Sequence, residues 1–154
     1  MKKFVIIGNG VAAAGCIEGI RSADRDAEIT VVSAEKHPVY CRPLISYYLE
    51  GKTDLERIKY RSDSFYSDNG VKVCYGREAV RIDAEAKKAE LDDGTQLPYD
   101  ALCIASGSSP FIPPFDGLDT VEKKFSFMTL DDALGLEKAV SQDSRVLIVG
   151  AGLI

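Results

Sequence analysis

Apolar residues run without a break through Phe4-Val5-Ile6-Ile7 and stop at Gly8-Asn9-Gly10, where small residues take over. Such a run predicts a parallel strand over Lys3 to Ile7, covered on both faces and central in its sheet. From Val11 to about Ser22 the small residues, with Ile17 and Ile20 at helical spacing, predict a helix. Asp24-Arg25-Asp26 is a polar turn, and Glu28-Ile29-Thr30-Val31-Val32 predicts the second strand. A loop from His37 leads into a short helix over Leu44 to Glu50 that ends at Gly51. Ser62 to Gly70, with a serine start and a glycine stop, reads as another short helix that turns Phe65 and Tyr66 inward.

Beyond it the period becomes that of strands. Val71 to Tyr75 is one strand, and Glu78 to Asp83 and Lys87 to Leu91 alternate toward the turn Asp92-Asp93-Gly94, a small antiparallel excursion. Tyr99 to Ala105 is apolar enough to return to the buried parallel sheet. Pro110, Pro113, Pro114 and Gly117 mark a connection, after which Thr129 to Ser141 predicts a helix and Val146 to Val149 a further strand. The expected fold class is therefore α/β: a Rossmann-like parallel sheet with an interpolated antiparallel β-meander.

Length and composition narrow the picture only in places. At 154 residues with 45% apolar content, the chain is long enough for a sizeable core. It contains no apolar run that would span a membrane, and the stretch after Lys2-Lys3 is too short for a signal peptide, so a cytoplasmic location is expected. A net charge of −5 without a basic stripe argues against nucleic acid as a partner. The four cysteines, Cys16, Cys41, Cys74 and Cys103, form no C-x-x-C pair, which argues against an internal zinc or iron–sulfur site. Cys16, Cys74 and Cys103 read as small buried apolar residues. His37, the only histidine, reads as structural, because no partner for a catalytic base is evident.

The chemistry concentrates in Gly8-Asn9-Gly10-Val11-Ala12-Ala13, which follows a strand and opens a helix. Gly8 allows the tight turn, Gly10 lets a pyrophosphate approach the backbone, and Ala13 lets the helix pack closely on the strand. The amides of Val11 and Ala12 then open the helix N-terminus, where phosphates bind. Glu35 lies about twenty residues past the turn, just after the second strand, where a carboxylate accepts hydrogen bonds from ribose hydroxyls. Strand, turn, helix and carboxylate together make this a dinucleotide site. Arg42 can reach a phosphate or a flavin edge, or can be a solvated surface charge, and Pro43 suits a first helical turn. Near the end, Arg145 to Gly152 begins a second copy of the pattern. The expected division is residues 1–112 as the first nucleotide-binding domain, 113–144 as a connection with a helix, and 145–154 as the opening of a second domain, truncated in a piece of a longer protein.

The order of parts resembles the FAD-dependent pyridine nucleotide oxidoreductases with two dinucleotide-binding domains. The resemblance rests on the first glycine turn, Glu35, Tyr40-Cys41-Arg42-Pro43-Leu44-Ile45-Ser46, the Gly94 turn, Tyr99 to Pro110, and Gly150-Ala151-Gly152. Within the family the chain looks most like NADH:rubredoxin reductases and the flavin-containing front of NAD(P)H nitrite reductase large subunits. The resemblance implies FAD at the first turn and NAD(P)H at the second, with hydride passing to the flavin and electrons onward to a carrier such as rubredoxin or to a nitrite-reducing module. It places the FAD pyrophosphate over Gly8, Gly10 and Val11, the ribose on Glu35, and the adenine beside the backbone at Val80. Ala105, Ser106 and Gly107 would lie against the cofactor, and Arg42 and Pro43 would flank the flavin end.

Departures from the family pattern refine that expectation. The two cysteines separated by four residues that serve disulfide reductases of this fold are missing, so a dithiol relay is not expected. The single redox cysteine of the peroxidase branch would fall on Pro43, not on Cys41, so a redox role for Cys41 beside Arg42 is only the minor alternative, and Tyr47 stands where ferredoxin reductases often have lysine. No side-chain acid or base is expected to be catalytic. The alternative reading is a non-catalytic FAD-binding module or redox sensor.

Overall fold

The computed structural model describes residues 1–150. Its core is a four-stranded parallel sheet of β1 (Lys3–Ile7), β2 (Glu28–Ser33), β3 (Val71–Tyr75) and β7 (Ala101–Ile104), in the order β3-β2-β1-β7. The remaining strands, β4 (Ala79–Asp83), β5 (Lys88–Leu91) and β6 (Gln96–Pro98), form a separate antiparallel sheet in sequence order. The parallel register is continuous, with Ile6 opposite both Val31 and Cys103. The expected α/β class with an interpolated meander is what the chain forms.

Both faces of the parallel sheet are covered, as the unbroken apolar strands require. On one face α1 (Val11–Ala23) lays Ala13, Ala14 and Ile17 against Ile6, Ile29 and Val31, with Phe65 of the short α3 (Phe65–Asp68) beside them. On the other face Ala89 and Leu91 of β5 pack on Val5 and Val32. Ile17 is fully buried, so its side chain contributes about 1.5–3 kcal/mol through burial. Trimming it to alanine would cost roughly 2–5 kcal/mol, because the sheet cannot collapse into the cavity. A third cluster joins α2 (Ile45–Leu49) to α4 (Leu130–Ala139) through Tyr40, Ile45, Ile58, Leu130 and Ala133. This cluster brings the start of α4 to the carboxyl end of the sheet, where the site lies.

Several sequence expectations are corrected. The helix expected over Leu44 to Glu50 is a 3-10 turn over Arg42–Leu44 followed by α2, with Pro43 in its first turn. A third meander strand, β6, follows the Gly94 turn. The strand expected to be buried over Tyr99 to Ala105 is the edge strand β7, and Ile104 is 65% exposed because its outer side has no strand partner among the described residues. Val146 to Val149 form no strand. A parallel strand exists only by pairing, and no described strand pairs with this segment, so all four side chains stand largely exposed. Gly150 nevertheless adopts φ +108°, against +106° at Gly8. Ala151 and Gly152, the rest of the second glycine turn, lie outside the described residues.

Candidate functional site

The site starts where β1 turns into α1. Gly8 sits at φ +106°, and a β-carbon there would collide with the Ala105 carbonyl oxygen at 2.1 Å and the Ser106 nitrogen at 2.8 Å. Its amide donates to the Val32 carbonyl at 2.9 Å, and the Ala105 amide donates to the Ile7 carbonyl at 2.7 Å. The turn is thus wedged between the carboxyl ends of β2 and β7. Gly10 differs: its backbone is ordinary (φ −92°), and a β-carbon there would meet no atom within 4 Å. A glycine with neither strain nor a crowding neighbour leaves an open cradle in front of the helix. Gly10 is the N-cap of α1 with no side-chain cap, and the helix has no acidic residue in its first turn, so its leading amides face this space. Val11 and Ala12 are exposed there, while Ala13 is fully buried against the sheet.

Glu35 follows β2 and holds the centre of a charged network. Its Oε1 accepts from Arg42 Nη2 at 2.6 Å and its Oε2 accepts from the Tyr40 hydroxyl at 2.7 Å. Arg42 Nη1 also donates to the Met128 carbonyl at 2.6 Å, and the Leu130 amide donates to the Tyr40 hydroxyl at 2.9 Å. Two parallel bridges therefore tie the carboxylate to the start of α4. The Arg42 guanidinium lies 5.2 Å from the Tyr40 ring centroid, which adds a cation–π contact. Arg42 is thus a paired charge and not a freely solvated one. It grips the carboxylate, because Glu35 is the anion within its reach, and exposed Pro43 only starts the turn behind it.

The other expected residues gather at the same end of the sheet. The Arg77 amide donates to the Ser33 carbonyl at 2.9 Å, so the chain entering β4 runs past the end of β2. The β4–β5 register slips between Ala79 and Arg81, leaving Val80 without an opposite residue and 61% exposed. Such a bulge frees one residue's backbone N–H and C=O. Ala105, Ser106 and Gly107 continue from β7 against the glycine turn, Ala105 half-buried and the other two exposed, with Gly107 at φ +71°.

Asn9, the residue between the two glycines, carries a role that the motif does not show. Its Oδ1 accepts from the Tyr66 hydroxyl at 2.7 Å, its Nδ2 donates to the His37 carbonyl at 3.2 Å, and the Val39 amide donates to the Tyr66 hydroxyl at 3.0 Å. The turn, the loop after β2 and α3 are pinned together through one amide side chain. The inward tyrosine was legible; its partner, 57 positions away, was not. His37 pairs with Asp131 at 2.7 Å, across the loop from the glycine turn. All four cysteines are free and half-buried. The Cys16 thiol is pushed up to about 11, first by burial and then by its neighbour Cys103, which keeps it protonated.

Comparison with known proteins places this arrangement. A family model described as pyridine nucleotide-disulphide oxidoreductase matches residues 2–154. The chain is 39% identical over 154 residues to the NADH-dependent phenylglyoxylate dehydrogenase subunit epsilon of Aromatoleum evansii, covering 99% of this chain and 36% of that protein. It is 34% identical to nitrite reductase [NAD(P)H] of Bacillus subtilis, covering 99% of this chain and 19% of that one. Among solved structures, NADH:rubredoxin oxidoreductase from Clostridium acetobutylicum matches with a TM-score of 0.75 at 27% identity, over 89% of this chain and 35% of that one. The chain thus spans about a third or less of the length of these relatives.

Proposed function

Because the chain belongs to the pyridine nucleotide-disulphide oxidoreductase family, we propose that it holds FAD for an enzyme that oxidises NAD(P)H. Electrons then pass to a carrier protein such as rubredoxin or to a nitrite-reducing module. Residues 1–112 form the FAD-binding part, 113–144 the connection, and 145–154 the opening of the NAD(P)-binding part, all in a cytoplasmic protein. The observation that carries this reading is the pairing of an open Gly10 at an uncapped helix start with a carboxylate at the end of the adjacent strand.

The residues present fit the cofactor. Gly8, Gly10, Val11 and Ala12 supply backbone amides and room for a diphosphate, and Ala13 keeps the helix tight on the sheet. Glu35, held by Tyr40 and Arg42, keeps lone pairs for the ribose hydroxyls. The free backbone edge at Val80 matches one donor and one acceptor on the adenine rim. Ala105, Ser106 and Gly107 wall the cofactor on the far side of the turn, and Arg42 with Pro43 closes the end facing α4. When bound, the flavin supplies the chemistry, since it accepts a hydride and releases single electrons. The protein's part is to bind, to orient and to exclude water, with no side-chain acid or base.

Visible absorbance of the purified protein tests the reading, together with release of the pigment and its identification as FAD. In the complete enzyme, anaerobic NADH or NADPH should bleach that absorbance. A protein that stays colourless in excess FAD overturns the proposal. FAD uptake without bleaching would instead favour a non-catalytic FAD-binding module or redox sensor.

A further inference from the structure

Resting on the FAD reading above, we propose that Tyr40 is a positioning residue for the adenosine ribose: its hydroxyl, anchored by the Leu130 amide, fixes the Glu35 carboxylate in the orientation that receives the sugar. Each carboxylate oxygen offers two lone pairs. Oε1 gives one to Arg42 and Oε2 gives one to Tyr40, which leaves one on each oxygen for a pair of vicinal hydroxyls. The Glu35 side chain is 23% exposed, so those lone pairs are open to a ligand.

The phenol can act only as a bridge. It is buried, it receives the first amide of α4 at 2.9 Å, and it donates to Glu35 at 2.7 Å. Burial and the neighbouring Glu35 push its pKa up, so it stays a donor at any pH at which the protein works. Its ring is held independently, packed with Ile45, Ile58, Leu130 and Ala133 and faced by the Arg42 guanidinium. Removing the oxygen alone should therefore leave the ring in place and release the carboxylate. The bridge also makes α4, which leads toward the second glycine turn, part of the support of the ribose site.

The test titrates FAD and FMN into the complete apoprotein and follows flavin fluorescence, for the wild type, Tyr40→Phe, Glu35→Gln and the double variant. FMN lacks the adenosine and serves as the internal control. Tyr40→Phe should weaken FAD binding roughly tenfold and leave FMN binding unchanged, as expected for loss of one hydrogen bond to a charged group. The double variant should bind FAD within about twofold of Glu35→Gln, because the tyrosine acts through the carboxylate. Unchanged FAD affinity in Tyr40→Phe, parallel loss of FAD and FMN, or multiplied losses in the double variant would each overturn the role. A wild type that takes up neither flavin overturns the FAD reading and this inference with it, an outcome distinct from variants that bind as well as the wild type.

Discussion

Gly8 and Ala105 are in backbone contact: a β-carbon on Gly8 would fall 2.1 Å from the Ala105 carbonyl oxygen, and Gly8 itself lies at φ +106°. Two independent penalties therefore guard this position, left-handed backbone strain of roughly 1–3 kcal/mol and a clash with main chain that cannot swing aside. Gly8→Ala should lower the thermal midpoint of the apoprotein and abolish FAD uptake, read by circular dichroism and by flavin absorbance. An unchanged melt would show that the turn is looser than this contact implies.

Gly10 separates binding from folding. Its φ of −92° is open to any residue and its β-carbon direction is empty. Gly10→Ala should change apoprotein stability by about 1 kcal/mol or less, within the range of N-cap substitutions. FAD affinity should nevertheless fall, because the methyl group occupies the space of the diphosphate. Gly10→Arg should remove flavin uptake altogether. Full flavin content in the arginine variant would refute the cradle.

The contrast between these glycines shows what the sequence could and could not convey. A glycine turn between an apolar strand and a helix of small residues is local chemistry, so β1, α1 and the place of Glu35 were legible from spacing alone. The bridges from Tyr40 to Leu130 and from Arg42 to Met128 join residues 90 and 86 positions apart, and no period or motif encodes them. That is why the pairing of Arg42 with Glu35 could not be read from the sequence. Val146 to Val149 teach the complementary lesson. An unbroken apolar run states a capacity for strand, and a parallel strand is realised only where a neighbour supplies its hydrogen bonds.

Tyr66 has the same division of labour as Tyr40, with a backbone amide on one side and a site residue on the other. Val39 is 2% exposed, and its amide donates to the Tyr66 hydroxyl. Tyr66→Phe leaves that buried amide without its partner, which costs about 1–3 kcal/mol. The variant should melt lower, and the Val39 amide should exchange with deuterium much faster than in the wild type. Unaltered exchange at Val39 would mean that the amide finds water instead.

Cys16 should be a slow nucleophile. Burial first, and Cys103 second, push its thiol up to about 11, so little thiolate is present at pH 8. Alkylation by iodoacetamide at pH 8 should lag well behind that of a free thiol and accelerate only as the pH approaches 11. The same shift sets a stability dependence. A folded pKa above the unfolded value of roughly 8.5 means stability fully present below that pH and lost as pH rises through about 11. Rapid labelling of Cys16 in the folded protein at pH 8 would contradict this.

Asp132 links acid sensitivity to the start of α4. Burial works against its charge, but the amides of Thr129 and Met128 and the hydroxyls of Ser126 and Thr129 outweigh it and hold the carboxyl below its ordinary value. The geometry is a capping box, in which Asp132 Oδ2 accepts from the Thr129 amide at 2.9 Å while the Thr129 hydroxyl accepts from the Asp132 amide at 3.1 Å. Asp132→Ala should cost about 1 kcal/mol at pH 7. Since the folded pKa lies below the unfolded one, the unfolded chain binds the proton first as pH falls. The stabilisation is therefore complete above the unfolded value of roughly 3.9 and disappears as pH drops through the folded value. Denaturation curves of the wild type and Asp132→Ala should differ at pH 7 and converge in strong acid. Because α4 carries the Leu130 amide that anchors Tyr40, the variant should also weaken FAD binding modestly at neutral pH. A difference that persists undiminished to pH 2 would show that packing of the side chain, and not its charge, secures the helix start.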